Sequence, residues 1–256
     1  SPAAPGPGAE VLSPRGGRRK RPLDLGSWGS RLVPPLRFGA VEEGLFRGAH
    51  PSLRNLRFLR RLGLRTVLSL TPEPPSSDLV EWCALESIEL IHLRVPRMEK
   101  DQVLNPGQVY ARAASRLIDS RLYPLYVHCM DGFSVTGAAV MLLRKLQMWN
   151  QPSVSSEYCR FAELQNVPAH VERFIRDFSD EVVVSDRLPS WLWAAQRLAS
   201  HPGFRLRHDP PLIKETTTAP AEKVVRMSRT LRALDVEGFE RFLDKNKYVV
   251  QVSYRD

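Results

Sequence analysis

Residues 123–142 read YPLYVHCMDGFSVTGAAVML, and they bring a cysteine, a histidine, a carboxylate and two hydroxyls into one short turn between two apolar runs. The pattern sets Cys129 at the end of a strand and just ahead of a helix N-terminus. Backbone N–H groups and the helix dipole stabilise negative charge there, which favours the thiolate. The same N–H groups can cradle a phosphate dianion. Gly132 permits the tight turn, Thr136 is within reach of the sulfur, and His128 is placed to orient the turn. The chemistry this implies is attack of sulfur on phosphorus. Yet Met130, Asp131, Gly132, Phe133, Ser134, Val135, Thr136 and Gly137 include no positive charge. Asp131 opposes both a thiolate and an incoming dianion.

Other reactive side chains fit structural roles. Cys83 and Cys159 lie in helical patterns beside apolar residues and read as core or near-core thiols. His92 sits inside a strand, and His50 precedes Pro51 in a turn. Three cysteines in 256 residues form no disulfide framework, and no pair shows C-x-x-C spacing. No Cys/His cluster has the spacing of a zinc site, so neither a metal nor another cofactor is expected. The cysteine usage fits a reduced compartment, and the expected location is the cytoplasm, with the nucleus as a second option. The net charge of +9 favours acidic partners such as phosphorylated ligands, nucleic acid or anionic lipid, and fits equally a solvated surface with basic tails. No apolar run reaches the roughly 18–20 residues of a membrane span.

Several elements must position the turn. Residues 1–34 are rich in Pro, Gly, Ser and Ala, carry the basic cluster PRGGRRKRP (14–22, with its core at 18–21), and read as a disordered arm. GLFRG (44–48) reads as a strand. In PSLRNLRFLRRLG (51–63), Leu53, Leu56, Leu59 and Leu62 have helical spacing and Gly63 closes the segment. RTVLSL (65–70) is a buried strand, and Ser77 or Asp78 caps a helix ending near Leu85. ELIHLRVP (89–96) is a strand, followed by a polar loop over 97–106. Residues 106–120 form an amphipathic helix with Val109, Ala113 and Leu117 on one face. PLYVHC (124–129) is a strand, 136–149 a helix apolar on nearly all sides, and 152–165 and 168–179 are helical. Alternation of this kind predicts an α/β fold with a mostly parallel central sheet flanked by helices. Ligands on such sheets bind beyond the carboxyl ends of the strands, where the turn after Cys129 falls. The expected domain spans 35–200, with Trp191 and Leu192 packing back on it. A linker (208–222) and a partly helical extension complete residues 201–256.

HCMDGFSVTG resembles the H-C-x5-R-[ST]-G loop of the cysteine-dependent tyrosine and dual-specificity phosphatases. FGAVEEGLFRGAHPSLRNLRFLRRLGLRTVLSLTPEPPSSD is similar to the opening of the atypical members of plants and fungi, most of all the Oca branch, the oxidant-induced cell-cycle arrest proteins. The resemblance covers about residues 35–185. It implies the phosphatase fold, Cys129 at the nucleophile position, and a general acid from the preceding loop, for which Glu99 or Asp101 is the candidate. It also implies assembly with other Oca-type proteins and a link to phosphate or inositol pyrophosphate signalling.

The departure from the pattern falls on the clamp. Six residues after the cysteine the family carries arginine, whose planar guanidinium grips two phosphate oxygens; here stands Val135. Phe133 occupies a position where active members often carry lysine. Clamps of this kind are worth roughly 10³ to 10⁵ in rate, or about 4 to 7 kcal/mol of barrier. The expectation is a pseudophosphatase acting by binding. The alternative is a weak but genuine protein or inositol pyrophosphate phosphatase, with Arg97 or Lys100 restoring positive charge. A third reading is nucleic-acid association through the basic arms, although no RNA-reading motif accompanies them.

Overall fold

A computed structural model describes residues 10–11, 32–96, 107–210, 223–225 and 248–250. The chain divides into two compact units, Ser1–Leu212 and Ile213–Asp256.

The first unit is built on a six-stranded sheet. Its strands in chain order are β1 (Glu10–Val11), β2 (Gly39–Glu42), β3 (Leu45–Ala49), β4 (Thr66–Ser69), β5 (Glu89–His92) and β6 (Leu125–Cys129), and their spatial order is β1-β5-β4-β6-β3-β2. β5, β4, β6 and β3 run parallel, while β1 and β2 are antiparallel edges. The expected α/β architecture with a mostly parallel sheet is therefore present. β1 lies inside the arm read as disordered, where Glu10 and Val11 pair with His92 and Ile91. The basic cluster lies outside the described residues.

Helices cover both faces of the sheet, and the strand period of two divides the core accordingly. Val67, Leu90 and Tyr126 pack with α1 (Leu53–Arg60) and α2 (Ser77–Leu85) around Leu56, Leu59, Leu79 and the fully buried Trp82. Leu68, Ile91, Leu125 and Val127 point the other way, into a larger core shared with α3 (Gly107–Leu117) and α4 (Ser134–Leu146). α5 (Gln151–Ala162) and α6 (Ala169–Asp177) add Val154, Tyr158, Val171 and Ile175 to that core. In α4 every residue from Val135 to Leu146 is buried except Lys145, as its apolar run predicted.

Three local readings shift. The cap of α2 is Ser76, whose hydroxyl accepts from Leu79 N–H at 3.4 Å, one residue before the expected position. On α3 the buried face carries Tyr110 and Ala114 beside Ala113 and Leu117, and Val109 is only half-buried. The domain also runs past 200. Parallel strands β7 (Glu181–Ser185) and β8 (Arg205–Asp209) pair in register. β7 packs on α3, where Ser115 Oγ accepts from Val183 N–H at 2.9 Å. Leu192 is fully buried and Trp191 stacks near Tyr123, as expected. Residues 205–209, expected outside the domain, supply β8, and residues 211–222 of the expected linker lie outside the described residues.

In the second unit β9 (Lys223–Val225) and β10 (Tyr248–Val250) form a parallel pair.

Candidate active site

Cys129 ends β6 between two parallel neighbours, with β4 on one side and β3 on the other; Ala49 of β3 is its register partner. The chain then turns through Met130–Phe133 into α4. Gly132 makes the turn possible. Its φ is +78°, and a Cβ there would lie 2.5 Å from Ala49 N and 2.7 Å from the Gly48 carbonyl carbon. Only glycine lets the loop lie this close on β3.

Two arginines from the N-terminal part of the domain hold the loop from outside. Arg47 of β3 is buried, donates from Nη2 to Gly132 O at 3.0 Å, and lies over the Phe161 ring at 4.0 Å. Burial lowers its pKa to about 10, partly offset by the charge of Glu157, so it stays charged at neutral pH. Its Nε and Nη1 find no acceptor among the described residues. Arg37 donates to Asp131 O at 3.2 Å and Phe161 O at 2.8 Å, and covers the Phe133 ring at 4.9 Å. Both guanidiniums thus contact loop carbonyls. Neither donates to Cys129 or fills the seat vacated at Val135.

The inner side of the loop is organised by Asp131. Its Oδ1 accepts from Phe133 N–H at 2.9 Å and Ser134 N–H at 3.0 Å, and its Oδ2 accepts from Ser134 Oγ at 2.6 Å. The Cys129 thiol donates to the same Oδ1 at 3.1 Å. Burial alone would raise the Asp131 pKa, but the Ser134 hydroxyl and the two N–H groups outweigh it and hold the carboxyl below its usual range. Cys129 moves the opposite way. Burial and then the Asp131 charge raise it, against a weaker lowering by Thr136, whose N–H donates to Sγ at 3.4 Å. The position at a helix N-terminus predicted an activated thiolate; burial, and then the carboxylate beside it, raise the thiol's pKa instead.

His128 is fully buried, edge-on to His50 at 5.2 Å and stacked on Tyr126 at 5.8 Å. Packing holds the ring, and a backbone contact with Cys129 partly favours its charged form. Burial and the neighbouring His50 push its pKa down to about 3. His92 is satisfied by Thr71 O at 2.9 Å. All three cysteines are free; Cys83 is buried and pushed up to about 12 by that burial, and Cys159 is partly exposed.

A cleft of about 370 Å³ opens over the sulfur, walled by Leu70, Pro72, Val95, Met130 and Val135 together with Asp131 and Ser134. Glu99 and Asp101, the general-acid candidates, lie outside the described residues, as do Arg97 and Lys100. Among the described residues no cluster of three or more His, Cys, Asp or Glu is arranged to hold a metal, and no helix is long and apolar enough to cross a membrane. Sequence reasoning missed Arg37, Arg47 and the acceptor role of Asp131. For Asp131 a signal existed, since Asp two and three residues ahead of helix-starting N–H groups is a capping pattern.

The profile of the Tyrosine phosphatase family matches residues 32–197. The chain belongs to that family. Within the family it falls in the Oca branch. It is 37% identical over 154 residues to OCA1 of Mycosarcoma maydis, covering 59% of this chain and 96% of that one. It is 34% identical over 169 residues to OCA6 of Saccharomyces cerevisiae, covering 60% of this chain and 75% of the relative. Both relatives carry tyrosine-protein phosphatase names. Inositol diphosphatase DSP5 of Arabidopsis thaliana is 35% identical over 150 residues, covering 59% and 73%. Among solved structures, the core catalytic domain of the PP-IP phosphatase SIW14 from S. cerevisiae, in complex with citrate, superposes with a TM-score of 0.53 at 28% identity. That match covers 58% of this chain and 88% of the other. This member of the tyrosine phosphatase family therefore has the family's fold around a loop whose clamp position is aliphatic.

Proposed function

We propose that this protein is a phosphatase-like binding protein that uses the family fold without efficient turnover, its partners including other Oca-type chains. The observation that carries this reading is Val135 at the clamp position, with no guanidinium in the cleft among the described residues. A missing clamp adds about 4 to 7 kcal/mol to the barrier. The protonated thiol of Cys129, at the nucleophile position, deepens the deficit. The test is hydrolysis of p-nitrophenyl phosphate and of an inositol pyrophosphate by wild type and Cys129→Ser. The expected result is no turnover above the Cys129→Ser background. Turnover abolished by Cys129→Ser overturns the reading. Sedimentation with an Oca-type relative tests the partner; a mixture that sediments as two separate species removes it.

A second reading is a slow phosphatase of inositol pyrophosphates or phosphoproteins using Cys129. It is favoured by likeness to proteins named inositol diphosphatase and PP-IP phosphatase. It requires a cation and a general acid from residues such as Arg97, Lys100, Glu99 or Asp101. A phosphocysteine trapped at position 129 establishes it.

A further inference from the structure

The inner face of the loop is not empty of negative charge. A phosphate bound over a strand–turn–helix loop places its oxygens on the backbone N–H groups of the turn and against the sulfur. Asp131 Oδ1 meets that description: two loop N–H groups donate to it, and it lies 3.1 Å from Sγ. Oδ2 accepts from the hydroxyl of Ser134. Arg47 and Arg37 donate to the carbonyls of Gly132 and Asp131 rather than to the carboxylate, and two Arg47 nitrogens lack acceptors among the described residues.

We propose that Asp131 is a built-in occupant of the phosphate seat. Its carboxylate takes the donors a phosphoryl oxygen would use, so the loop is an anion site filled from within. The proposal rests on reading Cys129–Gly137 as a phosphate-type loop and deepens the binding function above: the wild-type cleft rejects phosphoryl dianions. One consequence concerns Val135. A guanidinium installed there alone pairs with the carboxylate already in the seat. Two positions, not one, separate this loop from an open anion site.

The test is isothermal titration of the full chain with orthovanadate and with inorganic phosphate. The variants are Asp131→Ala, Asp131→Asn, Val135→Arg and the double variant Val135→Arg/Asp131→Ala. Wild type and Val135→Arg are expected to bind weakly. Asp131→Ala is expected to bind at least about tenfold more tightly than wild type, a factor within reach of one charge-assisted contact. The double variant is expected to exceed the product of the two single effects, the signature of coupled neighbours. Asp131→Asn keeps an oxygen on the same N–H groups and is expected to gain little. Should Asp131→Ala not fold, judged by circular dichroism, Asp131→Gly also removes the acceptor and takes its place. Wild type that binds vanadate as well as Asp131→Ala overturns the proposal. So does Asp131→Asn gaining as much as alanine, because repulsion rather than occupancy would then account for the effect. Turnover is read on the same samples. Hydrolysis by wild type counts against the binding function, whereas the order of the vanadate affinities decides the seat.

Discussion

The two ends of α4 each carry a charged side chain, and each solves the problem of burial differently. Near the C-terminal end Arg144, 3% exposed, is satisfied by other side chains. Nε and Nη2 grip Glu157 at 2.7 and 3.0 Å, Nη1 reaches Gln147 at 2.9 Å and pairs with Glu42, and Nη2 also donates to Val41 O at 2.9 Å. The side chain also lies over Trp149 at 4.2 Å. At the N-terminal end Asp131 has no cationic side chain bonded to its carboxylate among the described contacts; backbone N–H groups and one hydroxyl hold it. Both charges have the sign the helix dipole favours. The Arg144 end joins β2 and α5 into one body, so its charges serve stability. The Asp131 end spends the same kind of interaction on filling a place that family members keep for a ligand.

The largest effect is expected from breaking the Arg144 end. Arg144→Met leaves Glu42 and Glu157 facing each other without their cation, and one partner removed from a largely buried network costs about 3 kcal/mol or more. Urea denaturation should show the midpoint fall. A loss below about 1 kcal/mol would mean that solvent already screens this network.

His128, on the strand that leads into the turn, sharpens the comparison through pH. Its folded pKa of about 3 lies below the unfolded value of 6.5. Between these values the unfolded chain binds a proton that the folded chain does not, so stability rises with pH across this window and the term is flat above it. The slope from this residue is at most about 1.4 kcal/mol per pH unit. His128→Gln should flatten stability against pH between 6.5 and 4.5 relative to wild type. An unchanged slope would show that the ring is protonated in the fold.

The smallest effect on stability belongs to the Asp131 end. Asp131→Ala removes a capping acceptor and should cost about 1 kcal/mol, while moving the Cys129 thiol in the opposite sense. With the neighbouring charge gone, the pH profile of iodoacetamide alkylation at position 129, followed by peptide mass spectrometry, should shift to lower pH. A profile that stays in place would show that burial, not the carboxylate, sets the thiol.

Much of this arrangement was legible from local pattern. TVLS, LYVHC and the long apolar run after Ser134 announce two buried strands and a helix enclosed on most sides, and the His-Cys at a strand end locates the turn. The substitution at Val135 needs only counting from Cys129. What could not be read arises from contacts distant in sequence. Arg47 and Arg37 meet the loop across 85 and 94 residues, and no local pattern marks them. β8, with the sequence RLRHD, is too polar to look like a strand, and only its pairing with EVVVS makes it one. The charge of Asp131 was visible, but its direction was not: a carboxylate turned outward would merely repel a ligand, whereas one turned inward replaces it.

The protonated state of Cys129 has a consequence for oxidative chemistry. Peroxide attacks the thiolate, and a sulfur that keeps its proton under burial and a neighbouring anion reacts slowly on the path to sulfenic acid. Where a low-pKa cysteine registers oxidant and loses function, slow reaction with peroxide is the expected behaviour here, because burial and then the Asp131 carboxylate both hold the proton on the sulfur.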